Sequence, residues 1–414
     1  MSRLNTNLGQ LKNEEHILII GSGFSVHDGI RSVEQINEFL VNLVENDFHI
    51  KADMSFNLLY GQKKSSLSFH WEDEKFFVMF LQWYREMYQD EFNYEVFYDF
   101  VTSFKRFGNH KNDIERFFNG FKRNVLQSSS PLDDINSYVA RFSDYFNQLI
   151  SNLLQSHKYY EDVGLGNYPP YEGFSAFLLE LVRRGFIVNN HSLNHDILFE
   201  HIASNHSDLF QFFTDGYTEF GSPYYGNVYL RQNIAKIYKV RLKYFNNHFD
   251  KPIRLFKLHG SVDTYIANLV IQNLDLTRVK KDFGVGSIQK EVLDVDGRPL
   301  FAELYQNTYP DILSGTSSKI LWYQQPYYKE LQEHFTQNLS DAELLLVIGY
   351  GFRDDGINNI IESKYLSKGK KMIVIDIKKP SSRLIYNYRT EVYEKSFSEV
   401  SLESWMEILE NNLV

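Results

Sequence analysis

The apolar run Leu255-Phe256-Lys257-Leu258 passes abruptly into His259-Gly260-Ser261. Imidazole titrates near neutrality, so a histidine at such a strand end can act as a general base. Gly260 has no Cβ and admits a closely approaching backbone or ligand. The same pattern also suits a surface histidine that closes a strand, and a lone His-Gly does not separate the two readings. Three further segments bear on the choice. Gly21-Ser22-Gly23-Phe24-Ser25 follows the apolar His16-Ile17-Leu18-Ile19-Ile20, and a helical pattern with Ile36, Phe39, Leu40 and Leu43 on one face follows from Ser32 to Val44. Strand, glycine turn and helix start together can hold a diphosphate through free N–H groups. The third glycine of the dehydrogenase fingerprint is replaced by Val26, which points to another kind of nucleotide binder. Ser192-Leu193-Asn194-His195-Asp196 follows Phe186-Ile187-Val188, and Asn194 and Asp196 can share one side of an extended turn. Either they face a ligand at the carboxyl end of a strand, or they form an Asx-type cap on the helix that follows. Finally, Gly349-Tyr350-Gly351 follows Leu344 to Ile348, and Asp376 lies near the end of Lys371 to Ile377, where an acid can accept hydrogen bonds from a ribose diol. His191 and His195 lack a third ligand and read as structural rather than as a zinc site.

The elements that position these residues follow from periodicity. The five apolar runs are short, continuous and rich in branched aliphatic residues, as in parallel strands buried on both faces. Helical patterns separate them: Tyr171 to Arg184 with Gly185 as a stop, Tyr327 to Asn338, Ile357 to Tyr365 and the closing Ser401 to Leu413. The expected fold is α/β, a Rossmann-like parallel sheet flanked by helices, interrupted by a large helical insertion. The boundaries fall at 1–48 for the first part of the Rossmann domain, 49–165 for the insertion and 166–414 for the remainder. Within the insertion, Phe76 to Tyr84, Asn93 to Phe104 and Ile135 to Leu154 have helical spacing. A loop at Gln127 to Pro131 offers Ser130 or Asp133 as an N-cap. Its Phe and Tyr stripes read as core, because no Lys/Arg run accompanies them as a base-stacking surface requires. Residues 212–250 and 268–299 are weakly patterned, apart from a hairpin signal at Asp296-Gly297.

Composition sets outer limits. With 43 Lys+Arg against 53 Asp+Glu the net charge is −10, so the chain gains nothing from releasing counterions around a nucleic acid, and general nucleic-acid binding is not expected. Cysteine is absent, which removes disulfides, thiolate nucleophiles and cysteine-ligated zinc. Met1 to Glu15 is polar, without the apolar core of a signal peptide, and no run reaches the ~18 apolar residues of a membrane span. The expectation is a soluble, cytoplasmic protein with no membrane contact and no metal.

Taken in order, the four strand ends resemble the sirtuin-like family, and most of all its bacterial branch associated with antiphage defence. Gly21-Ser22-Gly23-Phe24-Ser25 with Gly29-Ile30 matches that family's Gly-Ala-Gly-x-Ser turn, and Ser192-Leu193-Asn194-His195-Asp196 matches its Thr-x-Asn-x-Asp segment. His259-Gly260 matches the catalytic His-Gly, and Ile348-Gly349-Tyr350-Gly351-Phe352-Arg353-Asp354 matches the defence branch's Ile-Gly-Tyr-Ser-Phe-x-Asp. The resemblance covers about half the chain and leaves out the helical insertion. It implies NAD+ as substrate, with His259, Asn194 and Asp196 as catalytic residues. Gly21, Ser22, Gly23, Phe24, Ser25, Ser192, Gly260, Ser261, Gly349, Gly351 and Asp376 would line the nucleotide. Arg31 stands where the family's protein deacylases have proline, and their four-cysteine zinc module cannot be built here. The implied activity is therefore hydrolysis of NAD+, restrained by homo-oligomerisation or a regulatory partner protein. Two rivals remain, an NAD- or ADP-ribose-sensing module and a zinc-free deacylase.

Overall fold

The computed structural model describes residues 15–26, 29–63, 68–88, 92–126, 134–154, 171–230, 236–268, 276–282, 284–306, 309–313, 325–396 and 399–411. His27, Asp28 and the expected loop at 127–131, with Ser130 and Asp133, lie outside them. In chain order the elements begin with β1 (Glu15–Ile20), α1 (Val33–Asn42), β2 (Phe48–Ile50), β3 (Phe56–Leu58), α2 (Trp71–Tyr88), α3 (Tyr94–Phe107), α4 (Lys111–Phe121) and α5 (Ile135–Leu153). Next come α6 (Glu172–Arg183), β4 (Ile187–Ser192), α7 (Leu198–Asn205), α8 (Ser207–Phe210), β5 (Phe213–Thr214), β6 (Tyr217–Thr218), β7 (Tyr224–Leu230), β8 (Lys236–Arg241) and β9 (Lys243–Phe245). Then follow β10 (Ile253–Lys257), β11 (Thr264–Asn268), β12 (Thr277–Lys280), β13 (Val285–Leu293), β14 (Pro299–Glu303) and β15 (Tyr305–Gln306). The chain closes with α9 (Pro326–Asp341), β16 (Leu344–Ile348), α10 (Asp355–Lys364), β17 (Met372–Asp376), α11 (Arg383–Asn387), β18 (Thr390–Glu394) and α12 (Leu402–Glu410).

These elements form two compact units. The first contains residues 1–29, 156–306 and 323–414, the second 30–155 and 307–322. By contacts, α1 thus counts with the second unit, although the sequence boundary at 48 grouped it with β1.

The apolar runs of the first unit become one seven-stranded sheet in the order β18-β17-β16-β1-β4-β10-β5, with every neighbouring pair parallel. Strands such as Leu344–Ile348, buried at all five positions, need no polar alternation because both faces are covered. Helix α9 packs on β1 and β10, and α6 packs on β4. Phe174 and Phe177 of α6 in turn meet Trp405 of α12, with ring centroids 5.7 and 5.1 Å apart. From β1 the chain lays down β4 and the edge strand β5, inserts β10 between them, then returns to build β16, β17 and β18 outward on the other side. That is the doubly wound Rossmann arrangement, and its reversal lies between β1 and β16.

Strand β4 runs further than its apolar start suggests. Asn189, Asn190 and His191 are fully buried inside it rather than beyond its end. His191 stacks on Phe256 with centroids 4.6 Å apart, and Asn338 Nδ2 of α9 lies 3.2 Å from its Nε2. The amide donates, so the ring is held neutral. The Asn190 amide makes no hydrogen bond among the described residues. Parallel ladders to β1 and β10 hold this polar strand between them.

Apart from β5, the weakly patterned region lies outside the parallel sheet. It folds into two antiparallel sheets, β15-β11-β12-β9-β6 and β14-β13-β7-β8. They share a core of Tyr224, Leu242, Ala267, Val279, Ile288 and Leu304. The hairpin at Asp296-Gly297 joins β13 to β14, with Gly297 at φ +74°. Among the described residues the second unit is helical apart from the β2–β3 pair, and most of its aromatic residues are core, Tyr60, Phe69, Trp71 and Phe107 being exposed. Phe142 meets Phe77, Phe80 and Phe97 at 4.7, 5.0 and 5.6 Å.

Burial holds the His191 pKa well below its ordinary value of 6.5, with His334 adding repulsion. A group with a depressed folded pKa contributes stability that is present above its unfolded value and lost as pH falls below it. Stability should therefore decline as pH drops below 6.5. In His191→Gln that slope should flatten by up to ~1.4 kcal/mol per pH unit, one proton's worth. Urea denaturation across that range reads it, and an unchanged slope would refute the assignment.

Candidate active site

Register brings the chemistry-bearing segments together. Lys257 pairs with Ser192, Ser192 with Ile20, Ile20 with Ile348 and Ile348 with Ile375, so five strands end on one line. The Gly21 turn, Asn194, His259, the Gly349 turn and Asp376 all follow within a few residues of it, at the carboxyl edge that straddles the switch point. Ligands bind at that edge in open α/β sheets.

At the centre of this edge two glycine turns touch. A Cβ on Gly21 would stand 2.5 Å from the Gly349 carbonyl oxygen and 2.7 Å from Tyr350 Cα. On Gly349, whose φ is +61°, a Cβ would stand 2.6 Å from the Phe24 nitrogen. The Gly21 N–H donates to Ile348 O, Gly23 N–H to Gly349 O and Phe24 N–H to Gly21 O, each at 3.0 Å. The expectation that Gly21 and Gly23 present free N–H groups to a diphosphate therefore needs correcting, because those donors are used within the protein. Nor does an α-helix follow directly. A single 3₁₀ turn, Ser22–Phe24, comes first, and α1 opens at Val33 behind its own Ser32/Gln35 capping box. Phe24 also differs from its assignment. Its ring is buried among Tyr171, Phe174 and Phe199, and Tyr171 OH donates to its carbonyl at 2.8 Å. Gly351 is exposed, and a Cβ there would meet only the Arg353 side chain, 3.9 Å away.

Asn194 ties the second segment to this turn. Its buried Nδ2 donates to Gly21 O at 3.0 Å and to Ser25 Oγ at 2.9 Å, while its N–H donates to Ser192 Oγ at 3.2 Å. Asp196 Oδ1 accepts the Leu198 N–H at 3.0 Å, an Asx turn that leads into α7, whose N-cap residue is Ile197. For Asp196 the Asx alternative is what the structure contains; Asn194 instead spans two segments. Asp376 accepts the Lys378 N–H at 3.4 Å, and burial raises its pKa.

His259 is 4% exposed. Gly260, at φ +81°, makes the turn behind it. Its Nε2 lies 3.3 Å from Asp354 Oδ2, and the His195 ring is 6.0 Å away. Ser261, also buried, directs its hydroxyl to His195 O at 3.5 Å, and the Val262 N–H donates to the same carbonyl at 2.9 Å. His195 thus joins the Asn194 and His259 segments through its backbone.

A buried charge cluster braces the same segments. Lys257 Nζ donates to the Asp196 carbonyl and lies 3.9 Å from Glu200. Lys280 reaches Asp215 at 2.7 Å and Glu200 and Asp263 at 3.3 Å each. Burial alone would lower the Lys280 pKa, but its three carboxylate neighbours hold it well above the ordinary value. Burial raises Glu200 against the pull of Lys257 and Lys280. At Asp263, Lys280, the Ser261 hydroxyl and Lys257 outweigh burial, so its pKa is lowered. Sequence reasoning missed this cluster and missed Asp354. A lysine inside the apolar Leu255 to Leu258 run was a signal for the cluster. For Asp354 the signal was its place as the last residue of the Ile348 to Asp354 motif, to which no role was given. Among the described residues, no group of three or more His, Cys, Asp or Glu is arranged to hold a metal ion, and no helix is long and apolar enough to cross a membrane.

No protein-family model matches the chain, and no curated protein matches it. Among solved structures it is similar to sirtuins. A Sir2 homologue solved as its NAD complex shares 10% identity, covering 96% of this chain and 91% of that one at a TM-score of 0.34. A structure described for the mechanism and regulation of Sir2 enzymes shares 11%, covering 96% and 94% at 0.37. One solved for sirtuin substrate affinity shares 12%, covering 96% and 93% at 0.34.

Two substitutions probe the geometry. Gly21→Ala forces backbone against backbone and should cost ~2–3 kcal/mol of stability. Asn194→Ala strands Gly21 O and Ser25 Oγ and should cost ~1–3 kcal/mol. Chemical denaturation measures both, and a loss below ~0.5 kcal/mol, the range of an ordinary surface change, would contradict the contacts described.

Proposed function

We propose that the chain is an NAD+ glycohydrolase of the sirtuin-like kind, cleaving the bond between nicotinamide and ribose. One observation carries the reading: at the switch-point edge of a doubly wound sheet, a buried His259 lies beside the Asp354 carboxylate, and its segment is hydrogen-bonded to the one whose Asn194 holds the Gly21 turn. The motif resemblance supplies the substrate. Nicotinamide in NAD+ is already cationic, so it leaves with the bonding electrons as a neutral molecule and needs no proton. The protein's task is to hold the ribose as oxocarbenium character grows at its anomeric carbon. Water then bonds to that carbon, and His259 accepts the proton released. Asn194 would orient the nicotinamide ribose and the attacking water. Asp376, one residue beyond the partner of Ile348, would hold the adenosine ribose, beside Gly349.

With no cysteine in the chain, the zinc module that shapes the deacylase cleft is missing, which favours hydrolysis over deacylation. Unrestrained hydrolysis would drain a cell of NAD+, so the activity calls for restraint by self-assembly or by a partner protein. Release of that restraint on infection would make the chain an antiphage effector.

The test is NAD+ consumption by purified protein, with nicotinamide and ADP-ribose resolved by chromatography. Wild type should release nicotinamide, and His259→Ala should be slower by about 10²–10⁴-fold while unfolding like wild type. Equal turnover in the two proteins would remove His259 from the mechanism. Nucleotide binding without turnover would favour the sensor reading, and deacetylation of an acetyl-lysine peptide the deacylase one.

A further inference from the structure

We propose that Asp354 is a positioning residue for His259. Its carboxylate takes the proton-bearing Nε2 and thereby assigns Nδ1 as the nitrogen that accepts a proton. This rests on the reading of His259 as the base for NAD+ hydrolysis. A neutral imidazole has one donor nitrogen and one acceptor, so whichever group holds the donor decides where the base lies.

The geometry fits that task. The two side chains are 5% and 16% exposed and 3.3 Å apart, Nε2 to Oδ2. The other carboxylate oxygen, Oδ1, accepts the Ile357 N–H at 3.1 Å as the N-cap of α10. One oxygen thus fixes the carboxylate to a helix and leaves the second aimed at the imidazole. The helix N-terminus also favours the ionised carboxylate, which can only accept. The turn that carries Asp354 is tightly built. The Asp354 N–H donates to Tyr350 OH at 3.3 Å, Tyr350 OH donates to Asn358 Oδ1 at 3.1 Å, and Asn358 Nδ2 donates to Phe352 O at 2.8 Å. Phe352 is held at φ +56°, a conformation a non-glycine residue adopts at a cost. The same turn begins at Gly349, which is packed against the Gly21 turn, so the carboxylate and the nucleotide turn share one rigid support.

Among the described residues, charged and titratable groups that face His259 include Asp354 from the start of α10 and His195 from the β4–α7 segment. On its own segment stand Lys257 and Asp263, both engaged with the Glu200 and Lys280 cluster. Of these, Asp354 is the carboxylate with an ion-pair contact to the imidazole.

Two variants separate positioning from helix capping. Asp354→Asn keeps the N-cap through its one amide oxygen but turns an NH₂ group toward Nε2, so both the charge and the acceptor are removed. The acid limb of its pH–rate profile should move down by about one pH unit, because a nearby carboxylate stabilises imidazolium. Asp354→Ser also caps the helix but is too short to reach His259. It should lose about tenfold or more in kcat with little change in KM or Tm, as when a base is left in the wrong tautomer. ¹⁵N NMR of the imidazole, titrated in wild type and in Asp354→Asn, reads the dyad without turnover. Expected are an Nε2–H tautomer in wild type and a lower titration midpoint in the variant. An Nδ1–H tautomer, or equal midpoints, overturns the proposal. If wild type consumes no NAD+, the proposed function fails, while the NMR titration still decides whether Asp354 sets the tautomer.

Discussion

The structure depends on a contact between two backbones. The turn after β1 and the turn after β16 approach until no Cβ fits between them, and Gly21, Gly23 and Gly349 all meet at that point. A net hydrogen bond contributes only ~1 kcal/mol. The three N–H donors engaged there hold the turns together, but the steric exclusion makes the position intolerant. Because the strand order reverses between β1 and β16, the contact sets the spacing of the carboxyl edge at that point. It also means that recognition at the turn cannot come from the Gly21 and Gly23 donors, which are already used.

Around this contact, polar side chains each serve two demands. Asn194 ties the Gly21 turn to the segment after β4, and Asp354 caps α10 while reaching His259. Double use of this kind follows from burial, since a polar atom left without a partner in the interior costs ~1–3 kcal/mol. A site assembled at the junction of several segments is held most firmly when its functional groups also satisfy the backbones that carry them. The consequence for mutagenesis is that Asn194 is not a clean probe of chemistry, whereas His259, whose imidazole meets the Asp354 carboxylate, is a better one.

The lysine cluster follows the same logic with charge. Burying Lys257 and Lys280 costs several kcal/mol each before pairing, and Glu200, Asp215 and Asp263 offset that cost. The pairing joins the segments after β4 and β10 to strand β12 of the antiparallel part, so the histidine-bearing turn is braced from behind by residues that need have no chemical role.

Much of this was legible in the chain itself. Continuous apolar runs such as Leu344–Ile348 can be satisfied only by burial on both faces, so they determined a parallel sheet, and their polar ends determined where chemistry could lie. The aromatic stripes of the second unit likewise announced a core. Where periodicity was diluted, the sequence was silent: β4 hides Asn189, Asn190 and His191 inside a strand, and the short strands between Tyr217 and Gln306 have too little alternation to be read. Tertiary structure alone decided the level register of five strand ends, the pairing of Asp354 with His259 across a sequence separation of nearly a hundred residues, and the use of the glycine N–H groups. Sequence patterns report what a segment needs from its own neighbourhood. Which distant segment supplies it is decided only when the chain closes and every buried donor, acceptor and charge has to find a partner.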